Sequence, residues 1–138
     1  MIGILIVTHG QLGKALIDTS EFILDTKPES VVSVSIDLNE HADLLRKKIS
    51  EGIKTVNQRK GVLILTDMFG GTPSNLSYSF LEEGKVEVIS GVNLPILIKA
   101  VDFQNKEMDL CDLAEHLEAF GKKSISLASG ILKGNKRE

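Results

Sequence analysis

The chain has 138 residues, and its 16 Lys and Arg against 19 Asp and Glu leave a formal net charge of −3. That length holds one core and not two, so residues 1–138 read as a single domain, and the near-balance of charge without a basic stripe excludes nucleic acid as the main partner. The apolar run at residues 2–7 is too short for a signal peptide or a membrane span, and no Cys/His spacing suggests a zinc site, so the chain reads as soluble, cytoplasmic and free of metal.

Two periodicities alternate along the chain. Residues 2–7 are almost continuously apolar, as in a strand covered on both faces. Leu12, Ala15, Leu16, Thr19, Phe22 and Ile23 then share a helical face. Residues 31–37, VVSVSID, alternate with period two. Helical spacing returns at Ala42, Leu45, Ile49, Ile53 and Val56, with Asn39 as the expected N-cap. GVLILTD at 61–67 is another buried strand. Thr72 and Pro73 then look like the cap and first position of a helix carrying Leu76, Phe80 and Leu81 and closed by Gly84. VEVIS at 86–90 is a fourth strand. Residues 96–104 read as helix, and Asp109 opens another bearing Leu110, Leu113, Leu117 and Phe120. The single Cys111 falls in that pattern and reads as a small buried filler. KSISLAS at 123–129 alternates like a final edge strand, and the terminal KGNKRE reads as a solvated tail.

Strands alternating with helices imply an α/β fold with a mostly parallel sheet. Four such strands suggest a doubly wound sheet of the flavodoxin-like type, in the order 2-1-3-4, with a C-terminal antiparallel edge strand. In such a sheet the first and third strands are neighbours, and chemistry collects at their carboxyl ends, where the winding reverses.

That placement brings two chemically active residues together. His9 ends the first strand and Asp67 ends the third. A carboxylate that accepts a hydrogen bond from one imidazole nitrogen fixes the tautomer and leaves the other nitrogen nucleophilic. The following loop, FGGTPSN, adds Gly70 and Gly71, whose backbone can turn N–H groups toward an anion, and the Thr72 hydroxyl. A phosphate cradle beside a nucleophilic histidine points to phosphohistidine chemistry. The nucleotide-binding pattern GxxxxGK[ST] is absent. Each part alone has a plainer reading: a satisfied polar strand end, an ordinary strand-to-helix turn, a turn-capping aspartate. Their convergence on two neighbouring strands carries the inference. His41 and His116 fit solvated helix faces, and Met68 and Phe69 either form an apolar docking patch or tuck under the loop.

GILIVTHG, GVLILTDMFGGTPSN and VISGVNLP closely resemble the enzyme IIA domain of the mannose family (mannose/fructose/sorbose) of bacterial phosphoenolpyruvate-dependent sugar phosphotransferase systems. The resemblance implies that His9 accepts a phosphoryl group from phosphorylated HPr and passes it to a histidine of enzyme IIB. It implies that Asp67 orients His9, that Gly70, Gly71 and Thr72 contact the phosphate, and that no cofactor is needed. It further implies a homodimer in which the C-terminal strand crosses to the neighbour. Some relatives continue through an Ala/Pro-rich linker into a IIB domain. No such linker follows here, so a separate IIB is expected, with the membrane reached only through the IIC and IID components. Two other readings remain open on the sequence: a regulatory phosphoprotein without a transport role, and the phosphoryl-donor subunit of a dihydroxyacetone kinase system.

Overall fold

The computed structural model describes residues 1–133. Among them, β1 (Gly3–His9), β2 (Val31–Ile36), β3 (Val62–Thr66) and β4 (Val86–Ser90) form one sheet in the order β2-β1-β3-β4. All three pairings are parallel. The helices are α1 (Leu12–Leu24), α2 (Ala42–Val56), α3 (Thr72–Tyr78), α4 (Leu94–Phe103), α5 (Leu110–Lys123) and α6 (Ala128–Leu132). The expected order of the four strands is therefore observed. No helix among the described residues is long and apolar enough to cross a membrane.

Strand alternation divides the core in two. Ile4 and Ile6 of β1 join Leu63 and Leu65 of β3 under α4 and α5, where Leu97, Leu113 and Leu117 pack, with Leu16 and Ile17 of α1 at the margin. Leu5 and Val7 join Val62 and Ile64 on the opposite face, under Leu45 and Ile49 of α2 and Leu76 of α3. Ile4, Leu5, Ile6 and Val7 are each fully buried. Complete burial of such a side chain stabilises by about 1.5–3 kcal/mol. The strand that delivers His9 is thus held from both sides.

Several expectations require correction. The fifth strand is not in this sheet: α5 continues to Lys123, Ser124–Leu127 (124–127) have no regular structure, and α6 follows. Alternation alone makes no strand unless the segment is laid along a sheet edge, and Leu127 stays 66% exposed. The buried face of α1 is Gly13 and Ser20 with Leu16 and Ile17, while Leu12, Phe22 and Ile23 are exposed. Two stripes of similar hydropathy run along that helix, and packing selected the one with small residues, which lets the helix approach the sheet. The N-cap of α2 is His41 rather than Asn39, with Nδ1 accepting from the Asp43 N–H at 3.2 Å. Helix α3 is capped by Gly71, starts at Thr72 and ends at Tyr78, well before Gly84. Helix α4 starts earlier than expected because Asn93 caps it, accepting from the Ile96 N–H. Asp109 opens α5 as expected, with its carboxylate accepting from the Asp112 N–H.

Cys111 is exposed, not buried, since the core stripe of α5 runs through Leu110, Leu113, Ala114, Leu117 and Gly121. The Glu115 carboxylate beside it raises the thiol above its ordinary pKa, which leaves it less thiolate and less reactive. The tail expected over residues 133–138 lies, from Gly134 onward, outside the described residues.

Candidate active site

The carboxyl ends of β1 and β3 lie abreast, with Val7 paired to Thr66. Side chains alternate along β1. Thr8 is therefore buried on the far face, where its Oγ1 accepts from the Gly13 N–H at 2.9 Å and ties β1 to the start of α1. His9, the last residue of the strand, emerges beside Asp67, the first residue after β3. The loop after His9 is tethered too: the Gly10 N–H donates to the Ile36 carbonyl, and the Ser35 hydroxyl donates to the Gly10 carbonyl at 2.6 Å.

The two candidate residues meet directly. His9 Nδ1 lies 2.7 Å from Asp67 Oδ2, and the His9 backbone N–H donates to the same oxygen at 2.9 Å. The other carboxylate oxygen, Oδ1, accepts from the Met68 N–H at 2.9 Å. Burial raises the Asp67 carboxyl, but the His9 backbone N–H, the ring bond and charge of His9, and the Met68 N–H outweigh it, so the pKa lies below its ordinary value. An ionised carboxylate only accepts hydrogen bonds. Nδ1 must therefore carry the hydrogen, and Nε2 keeps the lone pair. The His9 side chain is 38% exposed and that of Asp67 10%, so the buried partner orients a ring that stands at the rim.

The sign of the Asp67 shift fixes a stability prediction. With its folded pKa below the ordinary 3.8, Asp67 contributes stability that is complete above that value and is lost as pH falls through the folded pKa. The melting temperature of the wild type should exceed that of Asp67→Asn at neutral pH. The gap should begin to narrow near 3.8 and close as the pH falls through the lower folded pKa. A gap independent of pH would contradict this.

The loop glycines serve two different purposes. Gly70 has φ +84°, a left-handed conformation that strains any residue with a Cβ. Gly71 has φ −85°, which any residue can adopt. What it needs is space, because a Cβ there would stand 3.1 Å from His9 Cε1 and 3.3 Å from Met68 Cγ. The backbone freedom expected of both glycines thus holds for Gly70, while Gly71 allows the imidazole to lie close over the loop. Thr72 follows as the half-buried first residue of α3. Met68 and Phe69 do not tuck under: they are 56% and 79% exposed, with Phe69 tilted over Tyr78 at 6.3 Å between ring centroids. His41 and His116 lie elsewhere, one exposed at the cap of α2 and the other stacked on Phe103.

Sequence reasoning missed a layer of hydroxyls behind the loop. Ser74 Oγ, fully buried, donates to the Met68 carbonyl at 2.5 Å and lies 2.5 Å from Thr66 Oγ1 and 2.9 Å from Ser90 Oγ. Tyr78 Oη lies 2.8 Å from the same Ser90 Oγ. A signal for this layer was present in the sequence. Thr8, Ser35, Thr66 and Ser90 place a hydroxyl near the carboxyl end of every strand, in register across the sheet as Thr8 with Ser35 and Thr66 with Ser90.

The chain is similar to known proteins over most of its length. The EIIA-man family, described as PTS system fructose IIA component, matches residues 3–118. The PTS system fructose-specific EIIA component of Bacillus subtilis (strain 168) is 32% identical over 130 residues, which cover 94% of this chain and 88% of that protein. The PTS system mannose-specific EIIAB component of Escherichia coli (strain K12) is 30% identical over 125 residues, 90% of this chain but 38% of the relative. Among solved structures, the phosphotransferase system component EIIA from Streptococcus agalactiae superposes with a TM-score of 0.82 at 28% identity, covering 94% of this chain and 98% of that one. With the family matched over most of its length, the chain belongs to the EIIA-man family of phosphotransferase-system IIA components.

Proposed function

We propose that this protein is a phosphocarrier, a single IIA domain spanning residues 1–138, and that His9 Nε2 is the atom that carries the phosphoryl group. The observation that carries the reading is the 2.7 Å contact between His9 Nδ1 and Asp67 Oδ2 at the rim of the sheet. In the forward step the Nε2 lone pair attacks phosphorus on phosphorylated HPr. The P–N bond to the donor breaks, and its electron pair returns to the donor imidazole. Positive charge then develops on the His9 ring, and Asp67 stabilises it without taking the Nδ1 proton. The second step repeats this with a histidine of enzyme IIB as nucleophile. A bond of one type replaces another of the same type, so the protein's task is alignment and charge stabilisation.

Gly70, Gly71 and Thr72 supply the phosphate contacts in this reading, and the exposed Met68 and Phe69 meet the docking partners in turn. The working site is cytoplasmic, and the membrane is reached only through the IIC and IID components, where the sugar is taken up and phosphorylated. A homodimer through exchange of the 123–129 segment is part of the same proposal. β4 is an edge strand, a groove of about 610 Å³ lined by Tyr78, Val88, Ser90, Ile96 and Ala114 runs beside it, and Leu127 within the segment and Ile131 and Leu132 just after it are exposed. A second copy's strand would cover that edge.

The test is incubation of the full chain with phosphoenolpyruvate, enzyme I and HPr, followed by intact-mass measurement. The reading expects a single acid-labile phosphoryl group that disappears when enzyme IIB is added. An unmodified chain, or a phosphoryl group stable in acid, would overturn it.

A further inference from the structure

We propose that Ser74 is a positioning residue for the His9–Asp67 pair, acting through Met68. Met68 is held at both ends. Its N–H donates to Asp67 Oδ1 at 2.9 Å, and its carbonyl accepts from Ser74 Oγ at 2.5 Å. The first bond keeps the carboxylate turned so that Oδ2 faces the imidazole. The second fixes the residue that makes the first. Without it, a loop residue with a 56% exposed side chain has little else to define its backbone.

The geometry separates this from ordinary helix capping. A serine near a helix start usually accepts from an N–H of its own helix. Here the cap is Gly71, with no side-chain bond. Ser74 instead turns its hydroxyl out of α3 to the loop carbonyl. It is itself braced by Thr66 Oγ1 at 2.5 Å and Ser90 Oγ at 2.9 Å, the last residues of β3 and β4. Tyr78 Oη backs Ser90 at 2.8 Å. The loop is thereby referred to the rigid edges of two strands, and no buried side-chain polar atom among the described residues lacks a partner. Ser77, equally buried on the same helix, provides a natural contrast: its hydroxyl donates to Pro73 O, inside α3, rather than to a carbonyl of the loop.

The test compares Ser74→Ala with Ser77→Ala by nitrogen-15 imidazole NMR of the unphosphorylated chain and by single-turnover transfer from phosphorylated HPr. Ser74→Ala should speed exchange of the His9 Nδ1 hydrogen with water and mix the two tautomers. It should also lower the transfer rate by about 10- to 100-fold while leaving the KM for HPr unchanged. Ser77→Ala should lower the melting temperature and leave the His9 ring signals as they are. Should Ser74→Ala not fold, Ser74→Cys keeps a weaker donor and should give an intermediate exchange rate. A His9 ring in Ser74→Ala, or in Ser74→Cys, that behaves as in the wild type would overturn the proposal. So would an equal disturbance by Ser77→Ala. The kinetic arm rests on the phosphocarrier reading, and the ring signals do not. A wild type that takes no phosphoryl group while Ser74→Ala frees the ring would refute that reading and leave Ser74's role standing.

Discussion

His9→Ala is expected to abolish phosphoryl acceptance from HPr, while His41→Ala and His116→Ala accept it at the wild-type rate. The three histidines differ in what holds them. His41 is a solvated helix cap whose ring accepts from the Asp43 N–H. His116 lies flat against Phe103 at 4.8 Å between centroids, a packing role on the surface of α5. Of the three, only His9 combines a buried strand, a carboxylate on one ring nitrogen and an exposed rim position. The fold should survive the change, since Asp67 keeps the His9 backbone N–H and the Met68 N–H as donors, and the lost ring bond costs about 1 kcal/mol. Intact mass after incubation with the donor system, beside a melting curve, checks both halves. Labelling that persists in a folded His9→Ala chain would remove His9 from the mechanism.

Asp67→Asn should slow transfer by about 10²- to 10⁴-fold, although the side chain keeps its shape. The carboxylate fills three acceptor roles: two for His9 on Oδ2 and one for Met68 on Oδ1. An amide has one acceptor oxygen. With that oxygen toward His9, its NH2 confronts the Met68 N–H. With the oxygen toward Met68, its NH2 confronts the His9 backbone N–H and drives the ring hydrogen from Nδ1 to Nε2, which removes the nucleophilic lone pair. Either orientation also loses the negative charge that balances the ring during attack. Single-turnover kinetics with phosphorylated HPr measures the fall. A rate equal to the wild type would show that Asp67 neither orients nor stabilises His9.

Much of this site could be read from residue order because parallel strands make simple promises. Strands that are apolar on both faces announce themselves, and in a doubly wound sheet their carboxyl ends fall side by side. His9 and Asp67 are 58 positions apart in sequence, yet their meeting followed from the strand order alone. The parts that escaped depend on side-chain geometry or on a choice between near-equal faces. On α1, the stripe with Phe22 and Ile23 looks as apolar as the one with Gly13 and Ser20, and close approach to the sheet decided for the smaller residues. The role of Gly71 looked conformational and is steric, because nothing in the sequence says that His9 Cε1 lies over it. Nothing in the residue order singles out Ser74, since its partners at 66, 68 and 90 converge only in three dimensions. The 123–129 segment has the alternation of a strand, but alternation does not say whose sheet edge it joins.

In the proposed function, Asp67 holds the Nδ1 hydrogen of His9 so that Nε2 receives the phosphoryl group. Nitrogen-15 and phosphorus-31 NMR of the chain phosphorylated through enzyme I and HPr tests it directly. The expected result is a phosphorus–nitrogen coupling to Nε2 of His9, with Nδ1 still bearing its hydrogen. Phosphorus on Nδ1, or on any residue other than His9, would contradict it.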